Sequence, residues 1–227
     1  MSTTHLFFDA GNTLVYVNLE FVAAALGRRG VKVDVDVLWA AEHKVRGVMD
    51  DPAIIGATDD GRRWTLYFEK IFARVGVSDG TLIADVLGEM RAYHSKSNLW
   101  ELVPAEVRTA LEALKGKYRM SVVSNANGTV RDKLERVGLA GYFETILDSH
   151  EEGIEKPDPR IFRRAMERTG ARPESSLYIG DFYHIDVVGA RAAGMEAVLL
   201  DPAGNHADKD VRRLPTLGGL PGLLGHS

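Results

Sequence analysis

The stretch HLFFDAGNTLVYV, residues 5–17, decides the fold. A short apolar run carries the chain to a single acid, Asp9, and Gly11, Asn12 and Thr13 then turn it. A brief apolar run bounded by turn residues reads as a buried strand, here His5–Asp9, and a strand buried on both faces belongs in a parallel sheet. Its partners are not nearby. Residues 16–97 show helical periodicity and almost no strand signal. The clearest helix lies in DDGRRWTLYFEKIFARVGV, where Trp64, Tyr67, Phe68, Ile71, Phe72 and Val75 make one apolar face. Weaker patterns cover 18–29, 36–49 and 80–94, punctuated by Gly30, the DDP at 50–52 and Gly76. Four helices in sequence predict a small bundle inserted directly after the first strand.

From about residue 98 the pattern alternates. A helix near 105–116 precedes the strand YRMSVVS, 118–124, and a second helix covers 128–138. The strand YFETILDS follows, then a helix opened by KPDP, where Pro159 suits a first turn. SLYIGD is the next strand, 184–194 the next helix and EAVLL the last clear strand. Alternation of this kind predicts an α/β fold: a doubly wound, Rossmann-like parallel sheet with helices on both faces. The expected organisation is a core of residues 1–15 and 98–227 and an α-helical bundle over 16–97.

Bulk properties narrow the function. The 227 residues are 45% hydrophobic and 26% charged, as in ordinary soluble globular proteins. There is no cysteine, so disulfides and thiolate metal sites are excluded and any metal must take oxygen or imidazole ligands. A net charge of -4 without a basic run disfavours nucleic acid as partner. No apolar segment is long enough to cross a membrane, and the N-terminus lacks a signal-peptide pattern; a cytoplasmic protein is expected. The sequon at Asn127 is then coincidental.

Open parallel sheets bind ligands at the carboxyl ends of their strands, so the strand ends carry the chemistry. The first strand ends in Asp9 and the second in Ser124 and Asn125. Lys156 follows the third, in GIEKPDP, and the fourth ends in GDFYHID with Asp181 and Asp186. Three carboxylates so close raise one another's pKa. A hard divalent cation resolves the conflict, and magnesium takes one or two carboxylates, waters and a substrate phosphate. A hydroxyl and an ammonium suit phosphate oxygens. A free carboxylate facing phosphorus can act as nucleophile and form an aspartyl-phosphate.

Those residues fall into four ordered motifs. FFDAGNTL, VVSN, GIEKPDPRIF and IGDFYHID resemble the four motifs of the haloacid dehalogenase (HAD) superfamily of hydrolases, most of which are phosphatases. The resemblance spans essentially the whole chain and identifies the helical insert with that family's cap, which opens and closes on two linkers, here near 14–17 and 95–99. It implies Asp9 as nucleophile and Mg2+ ligand, the Gly11 backbone carbonyl as a further ligand, and Asp181 and Asp186 completing the metal site directly or through water. It also implies Ser124, Asn125 and Lys156 on the phosphoryl group of a small phosphorylated substrate, with Lys156 offsetting the acids and Thr13 bracing the loop. His184, between the two acids, reads as exposed or packing. Arg62 and Arg63 read as a solvated helix end, and the Trp64–Phe72 stripe as core of the insert.

Gly11 departs from the pattern. The family's phosphatases usually carry there a second Asp that protonates the leaving oxygen and then activates water, help worth about a hundred- to ten-thousand-fold. Glycine supplies no proton, and Asn12 cannot titrate. The first reading is a Mg2+-dependent phosphatase with a weak or relocated acid, suited to good leaving groups such as aryl and acyl phosphates. A 2-haloacid dehalogenase also lacks the second Asp, but those relatives use no metal and lack the Gly-Asp pair kept here at 180–181. A catalytically silent binding protein on the same fold is a third reading. A phosphonate hydrolase is a fourth; it would need a cap lysine, with Lys44 and Lys70 the candidates by location.

Overall fold

A computed structural model of the chain describes residues 3–58 and 60–225. In chain order the elements are β1 (His5–Phe8), β2 (Tyr16–Val17), α1 (Leu19–Gly27), α2 (Val35–Met49), α3 (Pro52–Ala57), α4 (Asp60–Arg74), α5 (Gly80–Ser97), β3 (Trp100–Leu102), α6 (Ala105–Leu114) and β4 (Arg119–Ser124). They continue through α7 (Val130–Arg136), β5 (Thr145–Asp148), α8 (Ser149–Glu152), α9 (Pro159–Thr169), β6 (Ser176–Gly180), α10 (Val188–Ala192), β7 (Glu196–Leu200), β8 (Arg212–Leu214) and α11 (Leu220–Leu223). Six strands form one sheet in the order β5-β4-β1-β6-β7-β8, parallel throughout, and β2 pairs with β3 in a separate two-stranded sheet. The doubly wound parallel sheet expected from the alternating pattern is therefore present, with the first strand of the chain at its centre.

Contacts divide the chain into two units, Met1–Tyr16 with Leu102–Ser227, and Val17–Glu101. In the first, the sheet is apolar on both faces. Phe7, Val123, Leu147 and Tyr178 pack with Ile161, Phe162, Ala165 and Met166 of α9 and Ala190 of α10. Leu6 and Phe8, alternating with Phe7, are also fully buried, so both faces are covered. Gly189 lets α10 approach closely. A Cβ there would stand 2.7 Å from Phe162 and 2.9 Å from the Pro157 carbonyl. That contact fixes the loop carrying Lys156 against the helix after β6.

The second unit is helical. Phe68, Ile71 and Phe72 of α4 are fully buried, with Leu38 and Val45 of α2, Val22 and Leu26 of α1, and Val86 and Met90 of α5. Its core also holds a charge pair. Glu42 accepts from Arg46 at 2.5 and 2.8 Å and from the Tyr67 hydroxyl at 2.5 Å. DDP punctuates the helices as the sequence predicts, ending α2 and opening the short further helix α3: the Asp51 side chain accepts from the Ala53 N–H and Pro52 starts the helix. Arg63 is not a free helix end, because its guanidinium donates to the carbonyl of Thr58 at 2.9 Å.

At the amino edge of the sheet His5 is buried beside Phe7, with Nε2 3.2 Å from Ser121 Oγ and 3.1 Å from Glu144 Oε1. Burial pushes its pKa down to about 4; Glu144 opposes the shift and Arg119 adds to it. The unfolded chain then takes up a proton between pH 6.5 and 4 that the folded chain refuses, so stability is lost as pH falls through that window. The expected loss from this residue at pH 5 is about 2 kcal/mol relative to pH 7.5. Urea midpoints of the parent and of His5→Gln at both pH values measure it. Parallel loss in both chains would show that His5 is not the cause.

Candidate active site

The strand order reverses between β1 and β6: β4 and β5 lie on one side, β7 and β8 on the other. Such a switch opens a crevice at the strand ends. Asp9 follows β1 and its N–H still donates to the Ile179 carbonyl of β6, 2.8 Å away, so the acid leaves the sheet in strand register. The next residues form a tight backbone turn. Leu14 and Val15 N–H both donate to the Ala10 carbonyl, and Asn12 N–H donates to Val15. Asn12 carries the left-handed φ of 52° that this turn requires, a conformation asparagine tolerates better than most residues. Its side-chain amide lies 3.4 Å from Asp181 Oδ2. Thr13 is fully buried, but Oγ1 has no hydrogen-bond partner among the described residues, so the backbone braces this loop rather than the hydroxyl.

Beyond β6 the chain winds back on itself. The sequence predicts an α-helix over 184–194. Its beginning is instead a π turn, Tyr183–Val187, in which Asp186 and Val187 N–H both donate to the Phe182 carbonyl, and the α-helix starts at Val188. Single π turns concentrate at functional sites. This one returns Asp186 to the strand end, where Oδ2 accepts from the N–H groups of Asp181 at 3.1 Å and Phe182 at 3.0 Å. A Cβ on Gly180 would stand 2.4 Å from that same oxygen, so only glycine fits.

Lys156 joins these acids. The Asn125 side chain holds its backbone on both sides, donating to the carbonyl at 2.9 Å and accepting from the N–H at 2.8 Å. The following peptide bond, Lys156–Pro157, is cis. The ammonium donates to Asp9 Oδ1 at 2.5 Å, Asp186 Oδ1 at 2.8 Å and Tyr178 Oη at 2.9 Å. Tyr178 in turn donates to the Val123 carbonyl at 2.8 Å. Burial pushes the Asp9 carboxyl above its ordinary value, Lys156 pulls it back and Asp186 adds to the rise. For Lys156 burial alone would lower the ammonium, but Asp186 and Asp9 outweigh it and hold the group above its usual value. The site thus contains a buried cation bridging two buried acids, with a third acid, Asp181, also buried beside the turn.

Of the residues singled out in the sequence, Asp9, Lys156 and Asp186 are in direct contact. Asp181 is tied to them through the Asp186 turn. Asn125 positions Lys156, and Ser124 ends β4 buried and paired in register with Asp148. Three contributors were not singled out. Tyr178 orients the ammonium. Asp148 Oδ2 accepts from Gly128 N–H at 2.9 Å and Val130 N–H at 3.2 Å, registering the loop after β4 and the start of α7. Ser149 Oγ accepts from Ala126 N–H at 3.2 Å in the same loop.

Among the described residues no group of three or more His, Cys, Asp or Glu is arranged to hold a metal. Asp186 has both oxygens engaged by protein donors. Asp9 and Asp181, with backbone oxygen from the loop at Gly11, could therefore meet a cation directly, and Asp186 through water. That all-oxygen set, too small to enclose an ion, suits magnesium, which keeps several waters.

A family model described as haloacid dehalogenase-like hydrolase matches residues 64–200. The chain is 32% identical over 163 residues to haloacid dehalogenase-like hydrolase domain-containing protein 3 of Bos taurus, a match covering 69% of this chain and 65% of that protein. It is also 32% identical over 206 residues to ribulose-1,5-bisphosphate 5-phosphatase of Halopiger xanaduensis, covering 88% of this chain and 85% of that one. Among solved structures, the HAD hydrolase YfnB of Bacillus subtilis superposes with a TM-score of 0.67 over 99% of both chains at 18% identity. This last likeness is one of fold. With the four motifs gathered on one sheet edge and the family model spanning more than half its length, the chain belongs to the haloacid dehalogenase-like hydrolases.

Proposed function

We propose that the chain is a Mg2+-dependent phosphatase of small phosphoesters that works through an aspartyl-phosphate on Asp9. The observation that carries this reading is the Asp9–Lys156–Asp186 contact at the switch in strand order. It presents one carboxylate at the crevice and holds it from behind by a cation. A relative named as a sugar bisphosphate phosphatase, matched over most of both chains, supports the same class. We take the helical unit Val17–Glu101 to be the family's cap.

In the first step an Asp9 oxygen attacks phosphorus. The P–O ester bond breaks and the leaving oxygen departs with its electron pair. In the second, water attacks the phosphorus, inorganic phosphate leaves and the carboxylate is regenerated. Lys156 fixes Asp9 Oδ1, so the other oxygen is the attacking atom. Asp186 keeps Lys156 in place and closes the turn bearing Asp181. Bound by Asp9, Asp181 and the Gly11 carbonyl, Mg2+ would neutralise charge on the transferring group. Gly11 offers the leaving oxygen no proton, so substrates whose leaving group needs none are favoured.

A phosphate-release screen over aryl, acyl and alkyl phosphates, with Mg2+ or with EDTA, tests this reading. Release is expected with Mg2+ and is lost in EDTA, with aryl and acyl esters ahead of alkyl ones by about a hundredfold or more. Absence of release from every ester would overturn the proposal, as would EDTA-resistant chloride release from a 2-chloroacid in its place.

A further inference from the structure

The loop after β7 belongs to none of the four motifs, yet it folds onto the π turn that returns Asp186 to the strand end. Asp201 follows β7 and is buried. Its Oδ1 accepts from Asn205 N–H at 2.8 Å and its Oδ2 from His206 N–H at 2.9 Å. The His206 carbonyl accepts from Lys209 N–H at 3.1 Å and from the Arg213 guanidinium of β8. The loop is thus braced by both strands that it joins. It meets the π turn at Tyr183. The buried His206 ring lies nearly parallel to the Tyr183 ring, with centroids 6.1 Å apart and planes inclined by 22°. The Lys209 ammonium stands 5.6 Å from the centre of the same ring, close enough for a cation to be drawn to it. Tyr183 and Val211, at the far end of the loop, also pack on the apolar cluster that holds Val187, Ala190 and Leu199.

Tyr183 is the first residue of the π turn, so the grip on its ring fixes where the turn begins. A π turn holds one residue more than the α-helical winding that it replaces. Relaxation to α winding would carry the Asp186 carboxylate off the Asp181 and Phe182 N–H groups that it now joins. Magnesium demands near-ideal octahedral geometry, so displaced acids bind it poorly. We propose that Tyr183 and His206 are positioning residues for the cation site. By gripping Tyr183, the loop after β7 holds the π turn in register, so that Asp181 meets Mg2+ directly and Asp186 meets it through water. The inference rests on the phosphatase reading and deepens its metal site. Both residues act through the turn, and no covalent step is involved.

The test uses Mg2+ alone as the probe, with Tyr183→Leu and His206→Ala. Each variant is expected to weaken Mg2+ binding, read by calorimetry without substrate, by about tenfold. Tyr183→Phe keeps the ring and should recover most of the affinity. In EDTA, hydrogen exchange of the Asp181 and Phe182 amides should quicken in Tyr183→Leu and His206→Ala while the amides of β1 and β4 keep their protection. With p-nitrophenyl phosphate, the Mg2+ concentration for half-maximal turnover should rise by the same factor as the binding constant, and kcat at saturating Mg2+ should fall less. Coupling is reciprocal, so the His206 ring resonances of the parent should move as Mg2+ is added, a reading that needs no folded variant. Parent and variants that bind Mg2+ equally well overturn the positioning role alone. So does a uniform quickening of exchange across the sheet, which marks a merely structural contact, and so do His206 resonances indifferent to Mg2+. Mg2+ binding that depends on Tyr183 in a parent that releases phosphate from no ester overturns the phosphatase reading alone. A parent that binds no Mg2+ overturns both.

Discussion

Asp9→Asn is expected to abolish phosphate release, by about a thousandfold or more, in a chain at least as resistant to urea as the parent. The loss follows from the proposed nucleophile, since an amide oxygen does not attack phosphorus and groups acting as one unit lose most of their effect together. The gain in resistance follows from burial. The folded Asp9 carboxyl lies above its ordinary value, chiefly because burial penalises the charge. A raised acid favours the folded state when protonated; that contribution is present at low pH and is lost as pH rises through the folded value. At neutral pH ionised Asp9 therefore weakens the fold. Asparagine removes the charge and keeps an oxygen that can accept from Lys156. Catalytic groups held in unfavourable surroundings show this trade of activity against stability. Urea midpoints in EDTA at pH 7.5, beside p-nitrophenyl phosphate turnover in Mg2+, give both readings. Turnover within tenfold of the parent would remove Asp9 as nucleophile. A clear drop in midpoint would show that the attraction to Lys156 outweighs the burial penalty.

The legibility of the chain follows from where its signals are local. The strand EAVLL appears where the apolar run places it, Glu196–Leu200, and β4 and β6 are close to their expected limits. Continuous apolar runs between turn residues leave a buried parallel strand as the natural reading. β8, Arg212–Leu214, gives no such run; it is three residues long and mostly exposed, and it joins the sheet by backbone pairing to β7. The π turn at 183–187 is also silent, because its extra residue is set by the return of Asp186 to the Asp181 and Phe182 N–H groups. The sequence places its candidate site residues where the strands end. By the same rule β5 ends on Asp148, which the structure shows holding the loop after β4. Tyr178 also left a trace: a phenol inside a fully buried strand needs a partner for its hydroxyl, and here it has two. What no local pattern could supply is that Lys156 is fully engaged, since its three acceptors come from the end of β1, the middle of β6 and the π turn after it.

Lys156→Met should be the most destabilising single change at the site. It leaves the Asp9 and Asp186 carboxylates, both buried, without the cation between them, and it strips the Tyr178 hydroxyl of its donor. Breaking a buried ion pair by removing one partner costs about 3–5 kcal/mol. Domains are stable by only about 5–15 kcal/mol, so the loss is a third or more of the total. Charge rather than packing dominates it, and pH separates the two. In the parent, the raised Lys156 contributes stability that is complete below its unfolded value and is lost only as pH rises through the folded one, so it is constant across neutral pH. In the variant, Asp9 loses its compensating cation and rises further, so protonation relieves the strain as pH falls from 8 toward 5.5. The stability difference between parent and variant should therefore shrink over that range. A lost methylene or ammonium volume would give a constant difference. The second measurement is Lys156→Met with Asp186→Asn: the pair should be less destabilised than the sum of the two single variants, because the uncompensated charge that the first creates is half removed by the second. A loss below about 1 kcal/mol, or one that is equal at both pH values and additive, would mean that Lys156 does not hold the two acids together in solution.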